Sequence, residues 1–263
     1  MFKSPRLRLY LTSLLLSLAG TEFAISADQA VSENWFTVVS ILKHEQALNR
    51  AHDVQLSGNL AFVPGKGGAI AIIDVAKPET PEILWYKHDP EDLGDSQTVL
   101  PLETHLLLGT THFFSLDISD PKNPVIQKKI SDRTDLRIDK INGMYKRGDT
   151  VFAANKSGWI NAFDVSNLDS PKLAGALQVS KKFDLMNPHD IDAFGEHIII
   201  VDPRKFGRFP TGKIAIFKVF DGPSGQALPV KEWVLTGEIE NKQLIGANRV
   251  QVQGSYAFTA CSW

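Results

Sequence analysis

The chain has one cysteine, Cys261, in 263 residues, so no internal disulfide can brace it. Its setting, YAFTACSW, reads as a small buried side chain in a strand rather than a reactive thiol. Neither sign of charge dominates: 28 Lys and Arg stand against 30 Asp and Glu, a net charge of -2. A nucleic-acid binder ordinarily carries a basic surplus, so nucleic acid is not an expected partner. No helical periodicity of useful length appears after the first 27 residues, and no later run reaches membrane-spanning length. The usual catalytic signatures are missing too. There is no Gly-x-Ser-x-Gly elbow, no Ser-His-Asp order, and no HxH, HxxxH or CxxC metal spacing. GKGG at 65–68 is glycine-rich, but it lies between two strand-like runs and not ahead of a helix, so it does not read as a phosphate loop.

The N-terminus has a three-part layout. MFKSPRLRLY carries Lys3, Arg6 and Arg8, LTSLLLSLAG is a short apolar stretch, and TEFAISA offers Ala24, Ser26 and Ala27. That pattern predicts a secretory signal peptide over residues 1–27, with an uncleaved anchor as the alternative, and a secreted or periplasmic mature protein.

What remains is repetitive. AHDVQLSGNLAFV, SQTVLPLETHLLL, INGMYKRGDTVFA, PHDIDAFGEHIII and ANRVQVQGSYAFT align, starting at Ala51, Ser96, Ile141, Pro188 and Ala247, with offsets of 45, 45, 47 and 59 residues. Each of the first three continues into an apolar run that ends in an acid and a Pro-containing turn (AIAIIDVAKPETP, FFSLDISDPKNP, INAFDVSNLDSP). Asp74, Asp117 and Asp164 are expected to close those turns by accepting from backbone N–H groups, rather than to bind metal. The fourth copy has Lys218 at that place. A further strand follows each turn (EILWYKH, VIQKKIS, KLAGALQ). Four short strands at a period near 45 residues predict an all-β fold, a β-propeller of four-stranded blades. About five repeats are visible, the last incomplete.

LAFVPGKGGAIAIIDVAKPETP and TVFAANKSGWINAFDVSNLDSP resemble the LVIVD repeat of β-propeller proteins: a strand, a Gly-containing turn, then a Leu-Val-Ile-Val-Asp-like run and a Pro-containing turn. The resemblance covers about residues 50–263. It implies a propeller over residues 28–263 and frequent export, and it brings no catalytic residues. WFTVVSILKH at 35–44 matches the fourth strand of a blade. Trp263 falls two strands into the fifth repeat, so either the closing blade is incomplete or the chain is the front part of a longer propeller. The exposed strand edges of an open ring favour the second reading.

In a blade the first strand lies nearest the axis, so residues at its entrance ring the mouth of the central channel. That column reads His52, Gln97, Asn142, His189 and Asn248; the next reads Asp53, Thr98, Gly143, Asp190 and Arg249. A leucine recurs upstream (Leu48, Leu93, Leu136, Leu185, Leu244), as expected for a plug between blades. One reading makes the polar ring a lock between neighbouring blades. The other makes it a ligand site built from His52, Asp53, Gln97, Asn142, His189, Asp190 and Asn248, with a metal left open. The enlarged loop DPRKFGRFPTGK of the fourth blade emerges on the same side. Its Arg204 and Arg208, interleaved with Phe206 and Phe209, would form a lip for an anionic or sugar-like partner. No cofactor is indicated. The expected function is an exported binding or interaction scaffold with its ligand site at the channel mouth, its partner a protein or a small anionic or sugar-like molecule. The alternative is an exported propeller enzyme, a hydrolase or metal-dependent oxidoreductase, using the same mouth.

Overall fold

The structure, a computed structural model, describes residues 37–132, 137–204, 210–219 and 233–261. The expected signal peptide, Leu136, and Arg208 with both phenylalanines of its loop lie outside the described residues.

Each repeat folds as one antiparallel sheet whose strands follow chain order. Blade 1 holds β1 (Gln55–Ser57), β2 (Leu60–Gly65), β3 (Ala69–Asp74) and β4 (Glu82–His88). Blade 2 holds β5 (Thr98–Pro101), β6 (His105–Gly109), β7 (Phe113–Asp117) and β8 (Val125–Ile130). Blade 3 holds β9 (Ile141–Arg147), β10 (Thr150–Asn155), β11 (Trp159–Asp164) and β12 (Lys172–Gln178). Blade 4 holds β13 (Asp190–Phe194), β14 (His197–Asp202), β15 (Gly212–Lys218) and β16 (Val234–Asn241). A hairpin of β17 (Ala247–Gln253) and β18 (Tyr256–Cys261) begins the fifth repeat. One short helix, α1 (Val179–Phe183), links blades 3 and 4; at five residues it is too brief to leave a periodic signature.

The apolar runs are continuous because each blade is packed on both faces. Successive strand side chains point to opposite faces. Leu106 and Leu108 of β6 therefore join Phe62, Ile70 and Ile72 of blade 1, while Leu107 between them joins Val151, Ala153 and Phe163 of blade 3. Phe113 stacks on Phe163 across the second seam, with ring centroids 3.9 Å apart. Blades 3 and 4 meet through Phe152, Ala154, Ile198, Ile200 and Phe217, and the hairpin joins blade 4 through Val250, Ile199 and Val201. β18 stands where the other blades have a fully buried strand, yet its residues alternate between exposed and half-buried. Residues 37–43 belong to no sheet: Val38 and Ile41 are exposed, and Leu42 packs beside the core of blade 1. The recurring leucines Leu93, Leu185 and Leu244 are buried within the inter-blade cores.

The turn aspartates act through their side chains. Asp74, Asp117 and Asp164 each accept from the N–H two residues on, that of Ala76, Ser119 and Ser166, at 2.8, 2.8 and 3.0 Å. These bonds to the charged form hold Asp117 and Asp164 below the usual carboxylate range. Lys218 instead pairs with Glu196 at 3.0 Å. Just before that turn, every complete blade has a register shift between its third and fourth strands, at Ile72/Ile73, Ser115/Leu116, Ala162/Phe163 and Ile216/Phe217. Such bulges increase local twist.

Candidate functional site at the channel mouth

The ring residues occupy the entrance of the first strand in every repeat. The N–H groups of His52, Gln97 and His189 donate to the carbonyls of Pro64, Gly109 and Val201 at 2.9, 2.9 and 2.8 Å, which extends the pairing of strands one and two beyond the start of the first strand. Asn142 and Asn248 are the second residues of β9 and β17.

Both histidines reach sideways to the next blade. His52 Nδ1 lies 2.9 Å from the Gln97 carbonyl, and His189 Nδ1 lies 2.9 Å from the Asn248 carbonyl. A carbonyl oxygen only accepts, so Nδ1 carries the proton in both rings. Burial holds His189 down to about 3, helped by Lys156 and Arg249 and opposed by its carbonyl bond. Burial also lowers His52, again against its carbonyl bond, with Lys66, Arg249 and Lys156 adding to the shift. Both rings are neutral at physiological pH, and Nε2 is a lone-pair acceptor left for the cavity that both residues line.

Behind them the second column converges on Arg249. Its Nη1 donates to the Asn142 carbonyl at 2.9 Å and lies 3.9 Å from Asp190, while its Nη2 lies 3.3 Å from Asp53. One side chain of the fifth repeat thus touches repeats one, three and four. Asp190 accepts from the Val250 N–H at 2.9 Å, and burial raises its carboxyl to about 7 against the pull of Arg249. Asp53 accepts from its neighbour's N–H, Val54, at 2.9 Å and from the Thr98 hydroxyl at 3.2 Å. Gly143 fits because a Cβ there would strike the Asp190 carboxylate and sit 2.7 Å from its Cα.

Above the ring opens a cavity of about 450 Å³. His52, His189 and Asn248 line it with Lys66, Lys156, Arg204 and Arg249, and among the described residues no carboxylate lines it. Lys66 and Lys156 are equivalent: each follows the second strand of its blade, and each donates its N–H to a carbonyl just ahead of the first strand, that of Arg50 at 3.0 Å or Lys140 at 3.2 Å. Arg50 and Lys140 hold positive φ, 53° and 55°, so both turns are bent in the same unfavourable way to bring a lysine to the mouth. Burial first, then Arg50, Arg249 and Lys140, lower the Lys66 pKa, with Asp95 opposing.

Of the residues singled out from the sequence, four stand at the cavity: His52, His189, Asn248 and Arg204. Arg204 is buried and committed, donating to the Asp184 carbonyl at 2.8 Å and pairing with Asp184 at 2.6 Å and Glu240 at 3.2 Å. Asp53 and Asp190 stand in the layer behind. Gln97 and Asn142 are fully buried, and both of their side-chain amides have neither the oxygen nor the nitrogen paired. The ligand set read from the sequence left out Lys66, Lys156 and Arg249, the last although it stood in the second column. The first lies in the GKGG turn set aside as a phosphate loop, and its match with Lys156 was readable from the repeat register. Among the described residues, no group of three or more His, Cys, Asp or Glu side chains is placed to hold a metal ion, and no helix is long and apolar enough to cross a membrane.

Sheets stacked around an axis with their first strands innermost define a β-propeller. Its first blade carries an LVIVD repeat, the family that residues 50–84 match. No curated protein matches the chain in sequence. Among solved structures, it resembles the WD40 domain of Neurospora crassa Pan2 at TM-score 0.52 and 10% identity, covering 72% of this chain and 49% of that one. It also resembles a hypothetical selenium-binding protein of Sulfolobus tokodaii at TM-score 0.51 and 12% identity, covering 72% of this chain and 56% of that one. The chain spans about half the length of these structures, and at such identity the likeness concerns the fold alone.

Proposed function

We propose that this is an exported β-propeller that binds a small anion at the mouth of its central channel and does not transform it. The observation that carries the reading is the charge of the cavity: Lys66, Lys156 and Arg249 line it, and among the described residues no carboxylate does. Desolvated cations held by backbone turns are the ordinary means of holding an anion in a concave site. A propeller built of repeats suits such a binding role. Export rests on the N-terminal pattern of residues 1–27.

One observation speaks for a catalytic reading, the Asp190 carboxyl raised to about 7, since proton-transfer groups are tuned to such values. Asp190 does not line the cavity, and its oxygens face the Val250 N–H and Arg249. It is placed to tie repeats together rather than to meet a ligand.

The test is calorimetry and thermal melting of the purified protein with phosphate, sulfate, citrate and glucuronate. At least one should bind and raise Tm, more weakly as salt increases. Lys66→Ala with Lys156→Ala should cut that affinity roughly tenfold or more, about 1.4 kcal/mol per tenfold. If none of the four binds at low salt, the proposal fails.

A further inference from the structure

The cavity's cations say what charge it takes; its other polar groups say what else the ligand carries. Lys66, Lys156 and Arg249 are donors only. The two imidazoles differ. With each Nδ1–H given to a carbonyl at 2.9 Å, each Nε2 offers a lone pair and no proton. A bare oxyanion such as sulfate has no hydrogen to give and would set its own lone pairs against them. A ligand that satisfies both the cations and the imidazoles must be an acid that also donates hydrogen bonds.

A second observation points the same way. Gln97 and Asn142 stand in the same column as the histidines. Both are fully buried, and all four of their side-chain amide atoms lack a partner. Their main chains are already tied to the mouth: the Gln97 carbonyl receives His52, and the Asn142 carbonyl receives Arg249. A buried amide left without partners is costly, so groups of this kind are seldom kept without water or a ligand to meet them. Neither amide lines the cavity, so the ring's spare capacity to donate and to accept is reached through relayed water. A cavity of about 450 Å³ also exceeds what a single inorganic anion fills, and it lies within the range of sites for small organic ligands.

We infer that the ligand is a polyhydroxylated carboxylate of the sugar-acid class, its carboxylate toward Lys66, Lys156 and Arg249 and its hydroxyls donating to Nε2 of His52 and His189. This rests on the reading of the mouth as an anion site.

The experiment compares three probes by calorimetry on the purified protein: glucuronate, cyclohexanecarboxylate, which keeps the ring and acid without the hydroxyls, and sulfate. Glucuronate should bind roughly tenfold or more tighter than either, because a site built around hydroxyls leaves its own polar groups unpaired with an analogue that lacks them. His52→Leu should remove most of that preference, the ratio of glucuronate to cyclohexanecarboxylate affinity falling toward one, with a thermal melt showing that the variant is folded. The comparison of probes on the unaltered protein does not depend on any variant folding. Equal affinity for the two carboxylates, or sulfate binding as tightly as glucuronate, overturns the hydroxyl assignment and leaves the anion site standing. No binding of any of the three overturns the hydroxyl assignment and, with phosphate and citrate also silent, the anion site as well.

Discussion

His52-Asp53 and His189-Asp190 are the same dipeptide at the same place in two blades, and they live in different surroundings. Each histidine bonds a carbonyl of the following repeat at the same 2.9 Å. His189 is buried and His52 only half-buried. The aspartates also differ in their neighbours within the second column. Asp190 is enclosed between Gly143, which leaves room for it, and the β17 backbone, which gives it an N–H. Asp53 has the Thr98 hydroxyl on one side and Arg249 on the other. A repeat fixes where a side chain stands, while its neighbours around the ring decide whether it is sealed from water. In both pairs the aspartate is nearly sealed, 12% exposed for Asp53 and 13% for Asp190, and it is the histidine of blade 1 that stays more open to the mouth.

Removing the residue that both pairs share should have the largest effect. Arg249→Met leaves Asp190 buried without its cation and severs the link to Asp53 and the Asn142 carbonyl. Losing one partner of a buried ion pair costs about 3–5 kcal/mol; the half-exposed guanidinium and its 3.9 Å approach to Asp190 place the expected loss near the lower end, about 3 kcal/mol at pH 8. The loss should shrink below pH 6, where Asp190 becomes protonated and no longer needs the cation. Urea unfolding at pH 8 and pH 5.5 measures both. An equal loss at the two values would show that Arg249 acts on the fold without regard to the Asp190 charge.

A smaller effect separates the two flanks. Gly143→Ala places a Cβ against the Asp190 carboxylate, an overpacking change expected to cost about 1–3 kcal/mol. Thr98→Ala, the corresponding change beside Asp53, removes one hydroxyl hydrogen bond and should cost about 1 kcal/mol. Asp190→Ala should relieve part of the Gly143→Ala defect in a double-mutant cycle, because the tightest approach is to that carboxylate, while the approach to the Asp190 Cα remains. Additive losses would place the strain elsewhere.

The sequence carried much of this architecture and less of the site. The period near 45 residues and the apolar runs marked the blades, because a strand packed on both faces cannot hide its composition. EILWYKH, for example, is β4 to the residue. The turn aspartates were legible because an Asp ahead of a Pro-containing turn has a local backbone job. The bulge before each of those turns had no marker, since it follows from the twist of the sheet and not from a residue type. In the site, the repeat register put His52 and His189 in one column. It could not say which cation faces the cavity. Arg204, read as a lip, is bound down by Asp184 and Glu240, partners far off in sequence. Lys66, read as a turn residue, lines the cavity, with its N–H held by the carbonyl of Arg50. Those outcomes depend on side-chain pairing between elements, which periodicity does not encode.

The finest test lies within blade 4, where adjacent residues respond to pH in opposite directions. Asp190 has a folded pKa of about 7, above its ordinary value, so the folded state holds its proton more tightly than the unfolded chain does. Its contribution to stability is fully present below about pH 4 and is lost as pH rises toward 7. His189 has a folded pKa of about 3, below its ordinary 6.5, so the unfolded chain holds that proton more tightly. Its contribution is present above about pH 6.5 and is lost as pH falls toward 3. Between about pH 4 and 6.5 the two slopes oppose and flatten the profile of the intact protein. Asp190→Asn should expose the histidine slope, so that the variant loses stability on acidification from pH 6.5 to 4 more steeply than the parent. His189→Gln should expose the carboxyl slope and reverse the trend, its stability rising relative to the parent over the same interval. Denaturant midpoints at half-unit pH steps would read both, as differences in slope rather than in absolute stability. Two variants whose profiles run parallel to the parent would mean that neither group is sealed, and the contrast between the two His-Asp pairs would be lost with it.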